Sequence, residues 1–385
     1  MQKNKTNNGF YIFIILQGLV IAGLFSTAHK QKDYSEIENR TLTEIPAVSW
    51  SDVMNGTYQE QMESGLKDQS DLKTASVRAS TVIDMLTMHY DKNGTYFNTK
   101  GDYVKKETDN DYTDKHLELN SKIIAKFADN TGKPVDLCLI PPKGSVHPEE
   151  LPDFAPYLDD MKFREKVFKN AKDYDNLSLV SMENLLFSDK EAYFRTDHHY
   201  NAYGAYLASK DYLTSIGYPS NDYVVYVPQE VGDRFQGSLY KKVPIFTNSY
   251  DQMIIPTNVD HVKISYYYSG DGRLTQDKKS MSFYEPGYLL TKNKYNVYMG
   301  GNHGLAVIDN TDKKDGQVLF MIKDSFANSA APYLINRFKR IVMVDLRYFS
   351  SSVSETVKKY DPDRIVFWYE SLDFAQESRF PALLR

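Results

Sequence analysis

The chain has 385 residues, 41% hydrophobic and 25% charged, the balance of a folded protein large enough for two domains or one domain with insertions. Its formal net charge is −5 with no dense Lys/Arg cluster, which excludes a nucleic-acid footprint. A single cysteine, Cys138, excludes an intrachain disulfide and any Cys-based metal cage; inside an apolar run it reads as a buried, inert thiol.

At the N-terminus two lysines precede an uncharged run from Gly9 to Ala28. About 20 such residues span a bilayer as a helix, and the leading lysines keep their side of it cytoplasmic. The run is long for a signal-peptide core of roughly 7–15 residues, so an uncleaved anchor is expected, although Ser26-Thr27-Ala28 would suit cleavage. Either way residues after Ala28 lie outside the membrane, and an exported chain with one cysteine fits a Gram-positive surface. The expected organisation is a cytoplasmic tip and anchor over 1–30, a membrane-proximal tether and helical region over 31–110, and the working domain over 111–385.

Apolar positions at helical spacing (Val53, Tyr58, Met62, Leu66, then Val77, Val82, Leu86) predict helix, with Gly65 as a candidate break. A short hairpin is expected around Lys100-Gly101. From Asp111 to about Asn130 a helix is predicted, followed by an apolar strand ending at Pro141-Pro142, then a second helix and the strand Leu177–Val180. Between about 220 and 300, short Tyr/Val/Ile runs separated by Gly, Pro, Asn and Asp predict an antiparallel β insertion, including strands in "GSLYKKVPIF", "SFYEPGYLL" and "KYNVYMGGN". Strand–helix alternation then returns through "GQVLFMIKDSFANSAAPYLINRF", "KRIVMVDLRYF", "SSVSETVKKYD" and "PDRIVFWYESL". The fold class is therefore α/β, a mostly parallel sheet flanked by helices.

Two segments carry candidate chemistry. Ser325 directly follows the apolar run Val318–Ile322, at the carboxyl end of a strand and the start of a helix, where free backbone donors can hold an oxyanion. Asp324 or Ser325 as a plain helix cap accounts for the same residues. The stretch "FRTDHHYNAYGAY" places Asp197, His198 and His199 before a helix over Ala202–Leu213. It is compatible with a metal site, an Asp–His catalytic unit or a polar turn. Asp197 and His199, two apart in a loop, can face one cleft, with His198 pointing elsewhere. His29, His89, His116, His147, His261 and His303 stand singly, so no third ligand is apparent and no metal is expected.

Together "YFRTDHHYNAYGAY" and "MIKDSFANSAAPYL" resemble the DHHW family, relatives of alginate O-acetyltransferases with an SGNH-hydrolase-like domain. "YSEIENRTLTEIP", "LIPPKGSV", "MGGNHG" and "VDLRYF" extend the resemblance in order from about Tyr34 to Phe367, with Tyr200 standing where the family name has Trp. The resemblance implies a permuted SGNH domain with Ser325 as nucleophile, His199 as general base and Asp197 as its orienting carboxylate. His198 would be a supporting hydrogen-bonding neighbour, and Asn302 and Arg347 oxyanion or substrate groups. An ordinary hairpin tip at Gly300-Gly301-Asn302, and an ion pair from Arg347 to Asp345 or Glu370, account equally for the latter two; Lys323 reads as a strand-end charge. The implied activity is extracytoplasmic O-acetylation of a polysaccharide, without a cofactor, supplied by a membrane-bound O-acyltransferase. A carbohydrate acetylesterase with the same triad and a non-catalytic surface scaffold remain alternatives, and 30 Tyr suit a sugar-binding wall as well as plain β scaffold.

Overall fold

A computed structural model describes residues 18, 31–35, 40–69, 72–171, 175–188, 190–218, 226–246, 248–257, 259, 261–268 and 274–384. The expected N-terminal anchor lies outside the described residues, Gly18 apart; among the described residues no helix is long and apolar enough to cross a membrane. The chain divides into two compact units, one of the described residues up to His89 with Lys241–Ile245, the other of Tyr90–Tyr240 with Phe246–Arg385.

The first unit carries helices Trp50–Asn55, Thr57–Gln69 and Leu72–Leu86. The helical stretch breaks at Gly56, which takes a left-handed φ of +86°, and not at Gly65. Gly65 lies inside its helix, and its lack of a side chain matches the close approach of Glu44, whose carbonyl oxygen would lie 2.7 Å from a Cβ there.

In the second unit eight strands form one sheet: β1 Val135–Ile140, β2 Leu177–Leu179, β3 Val262–Tyr268, β4 Thr275–Ser280, β5 Leu305–Asn310, β6 Val318–Lys323, β7 Arg340–Val344 and β8 Arg364–Glu370. Their order is β4-β3-β5-β7-β6-β8-β1-β2. From β7 to β2 every pairing is parallel, while β5, β3 and β4 continue the other edge antiparallel. The sheet is thus mixed, a correction to the mostly parallel expectation, because half of the predicted β insertion (β3 and β4) extends the main sheet. The other half, Pro228–Phe235 paired antiparallel with Asp251–Pro256, forms a separate hairpin.

Central strands are apolar throughout because both faces are covered. Leu319 and Met321 of β6 point into one core with Tyr200, Ala205, Phe326 and Ala330, from the helices Ala202–Ser215 and Ala327–Leu334 and the turns that start them. Val318, Phe320 and Ile322 point into the other, with Leu117, Phe127, Phe163 and Val353 of the helices Asp114–Thr131, Asp160–Ala171 and Val353–Tyr360. Period-two alternation along one strand thereby feeds two separate helix layers.

Three predicted strands are helical instead. Ser238–Lys242 is a short helix stopped ahead of Pro244, and Pro286–Leu290 and Lys294–Val297 are 3₁₀ turns. Pro286 cannot donate to a ladder, and Tyr288 N and Asn296 N instead bond back to Glu285 and Asn293 carbonyls. The tip expected at Lys100-Gly101 does join antiparallel strands Thr95–Phe97 and Tyr103–Lys105.

Candidate active site

Ser325 sits in the turn between β6 and the helix Ala327–Leu334, half-buried at the carboxyl edge of the sheet. The turn is fixed by Asp324, whose backbone N–H donates to Trp368 O (3.0 Å) while its carboxyl accepts from Phe326 N (2.9 Å) and Glu370 N (2.6 Å). Burial first, then the nearby Asp373, pushes the Asp324 carboxyl up to about 7. Among the described residues the Ser325 backbone N–H donates to no protein group, which leaves it available at the mouth of the helix.

The loop 194–201 brings the acid–base pair to this edge. Phe194 N bonds to His199 O (3.1 Å) and Asn201 N to Ala192 O (2.9 Å), and Asn201 caps the helix that follows by accepting from Tyr203 N and Gly204 N. The loop is anchored from outside by Asp251, which accepts from Arg195 N (2.6 Å) and Thr196 N (2.9 Å). Asp197 Oδ1 accepts from the backbone N–H of His199 (3.0 Å) and from its Nδ1 (2.6 Å); Oδ2 accepts from Ser238 N (2.6 Å). His199 Nε2 lies 2.7 Å from Ser325 Oγ.

Burial alone would raise the Asp197 carboxyl, but the attraction of His198 and His199 and the hydrogen bonds from His199 and Ser238 outweigh it and hold it well below the usual range. An ionised carboxylate only accepts, so His199 Nδ1 carries the proton and Nε2 is left to accept from the Ser325 hydroxyl. His198 turns away: its Nδ1 is 2.8 Å from Ser238 Oγ and 3.3 Å from Asp197 Oδ1, and it makes no hydrogen bond to Ser325. Burial, then the neighbouring His199, pushes His198 down to about 3, so it is neutral at ordinary pH.

Asp197, His198 and His199 also offer metal-ligand atoms within 4.8 Å of one another. Ligands on a tetrahedral ion, at about 2.0–2.2 Å from it, sit roughly 3.4 Å apart. The 2.6 Å between Asp197 Oδ1 and His199 Nδ1 is hydrogen-bond geometry, so an ion would first have to break that bond.

The other candidates stand on neighbouring strand ends. Lys323 is buried, not a surface charge, and its Nζ reaches Asn302 Oδ1 (2.9 Å), Asn328 Oδ1 (2.8 Å) and Asp345 Oδ2 (3.3 Å). Because an ammonium only donates, it fixes both amides with their oxygens inward. Arg347 donates through Nε and Nη2 to Asp345 Oδ1 (2.9 Å) and Oδ2 (2.7 Å), the ion pair expected as the alternative to a substrate role. Neither Asn302 nor Arg347 hydrogen-bonds to the side chains of Ser325 or His199 among the described residues.

Sequence reasoning missed Tyr295, whose ring stacks on His199 (centroids 3.8 Å apart, planes 10° from parallel) and whose hydroxyl donates to Ser325 O at 3.1 Å. Gly237 was also missed: a Cβ there would lie 2.3 Å from Asp197 Cβ. Tyr200, the departure from the family's Trp, donates to Phe326 O (2.6 Å) and accepts from Trp368 Nε1 (3.1 Å), tying loop, nucleophile turn and sheet together.

Residues 164–344, which span Asp197–His199 and Ser325, match the family model described as DHHW protein, as the motifs predicted. A DHHW family protein from Eubacterium siraeum is similar with a TM-score of 0.64 at 19% identity, over 76% of this chain and 96% of that one. Bacillus cereus PatB1, in a structure with a sulfonyl adduct, is similar with a TM-score of 0.57 at 16% identity, over 74% of this chain and 97% of that one. At these identities the likeness is one of fold, the mixed α/β architecture described above. No curated protein matches the sequence.

Proposed function

We propose that this chain, whose fold and motifs are those of the DHHW family, is an extracytoplasmic O-acetyltransferase that modifies a cell-surface or secreted polysaccharide through an acyl-enzyme on Ser325. The observation that carries the reading is the continuous line from Asp197 Oδ1 to His199 Nδ1 (2.6 Å) and from His199 Nε2 to Ser325 Oγ (2.7 Å). Ser325 Oγ attacks the carbonyl carbon of an acetyl donor as its proton passes to His199 Nε2. The negative charge on the carbonyl oxygen faces the Ser325 backbone N–H, with Asn302 as a second candidate donor and Arg347 at the same sheet edge. Collapse expels the donor's alcohol or thiol, which takes the proton from His199, and leaves acetyl-Ser325. A sugar hydroxyl then gives its proton to His199, attacks the same carbon and releases Ser325 Oγ, which recovers the proton. Asp197 keeps the imidazole in the required tautomer throughout and stabilises the imidazolium.

The apolar run Gly9–Ala28 supports a membrane-tethered site outside the cell, beside a membrane-bound O-acyltransferase that would bring acetyl groups across. The test uses 4-nitrophenyl acetate as donor, with and without oligosaccharide acceptors. Acetylated oligosaccharide made by the native chain and not by Ser325→Ala supports the reading; free acetate as the only product in every condition overturns the transferase.

A further inference from the structure

A cleft of about 470 Å³ opens at the sheet edge where β5 and β7 meet, lined in part by Tyr267, Tyr268, Asp277, Asn302, Arg347 and Tyr348. Topology places it there: Ile322 of β6 pairs with Val344 of β7, so Ser325 and Arg347, each three residues further on, leave neighbouring parallel strands at one edge. On the far side of β7, Val344 pairs with Leu305 of β5, and the turn before Leu305 carries Asn302. Lys323, two residues before Ser325, holds the Asn302 oxygen at 2.9 Å, which ties the cleft floor to the nucleophile's own strand.

We propose that this cleft is the acceptor subsite, taking a pyranose-based oligosaccharide whose hydroxyl receives the acetyl group; this deepens the reading of Ser325 as the acyl carrier and rests on it. Its walls combine what a sugar ring presents. Tyr268 and Tyr348 are 66% and 52% exposed, large rings left open to solvent where an apolar C–H face of a pyranose can stack. Between them stand polar groups of both kinds. Because Lys323 and Asn328 Nδ2 both donate to the Asn302 oxygen, the Asn302 amide N–H groups are left to donate outward. Asp277 supplies a carboxylate acceptor, and Arg347, spread over Asp345 through Nε and Nη2, keeps Nη1 for a further contact. Lys323 and Arg347 share Asp345, and Asp277 supplies the second carboxylate, so the charges around the cleft balance and its lining favours hydroxyl- and amide-bearing sugars over polyanions. Tyr267 and Tyr268 come from the Tyr-rich β3, which gives that strand a role at the site.

The test follows how acetyl from 4-nitrophenyl acetate divides between water and three pentasaccharides: cellopentaose, chitopentaose and an acidic pentamannuronate. The expected result is transfer to cellopentaose or chitopentaose. In Tyr348→Ala and Tyr268→Ala the share of acetyl delivered to sugar rather than water falls at least tenfold, and Tyr348→Phe, which keeps the ring, restores it. The proposal is overturned if none of the three is acetylated or bound at millimolar concentration, if only the pentamannuronate is, or if the alanine variants partition acetyl as the native chain does. Binding to Ser325→Ala, followed by calorimetry, separates the two readings: an ester still cleaved by that variant removes Ser325 as carrier, while loss of sugar binding on Tyr348→Ala in that background still places the sugar in this cleft.

Discussion

Tyr295 lies flat on His199, ring centroids 3.8 Å apart, and the same side chain donates its hydroxyl to Ser325 O at 3.1 Å. One residue thus fixes the plane of the base and the backbone of the nucleophile. Tyr295→Phe keeps the stack and loses the hydroxyl's contacts to Ser325 O and Ser329 Oγ, so a small loss of kcat on an aryl ester is expected. Tyr295→Leu frees the ring to shift, and a displacement near 1 Å costs on the order of 100-fold. Equal kcat in the native and Leu chains, measured by steady-state ester hydrolysis, would remove Tyr295 from the positioning role.

Gly237 is the point of closest approach to Asp197: an added Cβ would sit 2.3 Å from its Cβ and 2.5 Å from Oδ2. Gly237→Ala must push the carboxylate off His199 Nδ1 or open the loop. Overpacking of this kind costs about 1–3 kcal/mol. Urea unfolding should report that loss together with a fall in ester turnover; a variant of native stability and turnover would contradict the contact.

His198 is held neutral in the folded chain, down to about 3, against an ordinary 6.5. As pH falls below 6.5 the unfolded chain therefore gains a proton here that the folded chain does not, and stability declines by up to about 1.4 kcal/mol per pH unit. Above 6.5 neither state is charged at this residue and its contribution is flat. His198→Asn, which still offers Ser238 Oγ a partner, should lose less stability than the native chain between pH 6.5 and about 4. Parallel stability curves for the two would exclude the effect.

The Tyr200 hydroxyl, fully buried, bonds both Phe326 O and Trp368 Nε1. Tyr200→Phe preserves the ring and orphans both partners, an expected loss of about 1–3 kcal/mol for each. Thermal unfolding unaffected by the change would mean that water replaces the hydroxyl.

How much of this was legible in the sequence differs from residue to residue. Asp197, His199 and Ser325 were legible as candidates, but local context left a polar turn, a metal site and a helix cap open, and only the resemblance of the two motifs together gave each residue its role. The Lys323 contacts did not, because a lysine at a strand end looks the same whether it meets solvent or, as here, Asn302, Asn328 and Asp345. Tyr295 was one of 30 tyrosines, in a stretch where β propensity pointed to strand and Pro286 and the asparagine turns decided otherwise. Gly237 owes its identity to Asp197, 40 positions away in sequence, a reason that no local pattern carries. Strand order was likewise invisible: β3 and β4 read as an insertion until pairing with β5 placed them in the main sheet.

Ser325 Oγ, activated through His199 and Asp197, is the proposed nucleophile. The most direct measurement is peptide mapping by mass spectrometry after treatment with phenylmethanesulfonyl fluoride, in which the attacking oxygen forms an S–O bond and fluoride departs. A single sulfonyl group on Ser325, with ester turnover abolished in step and neither event in Ser325→Ala, is the predicted result. Label on another residue, or a native chain left unlabelled and active, would contradict it.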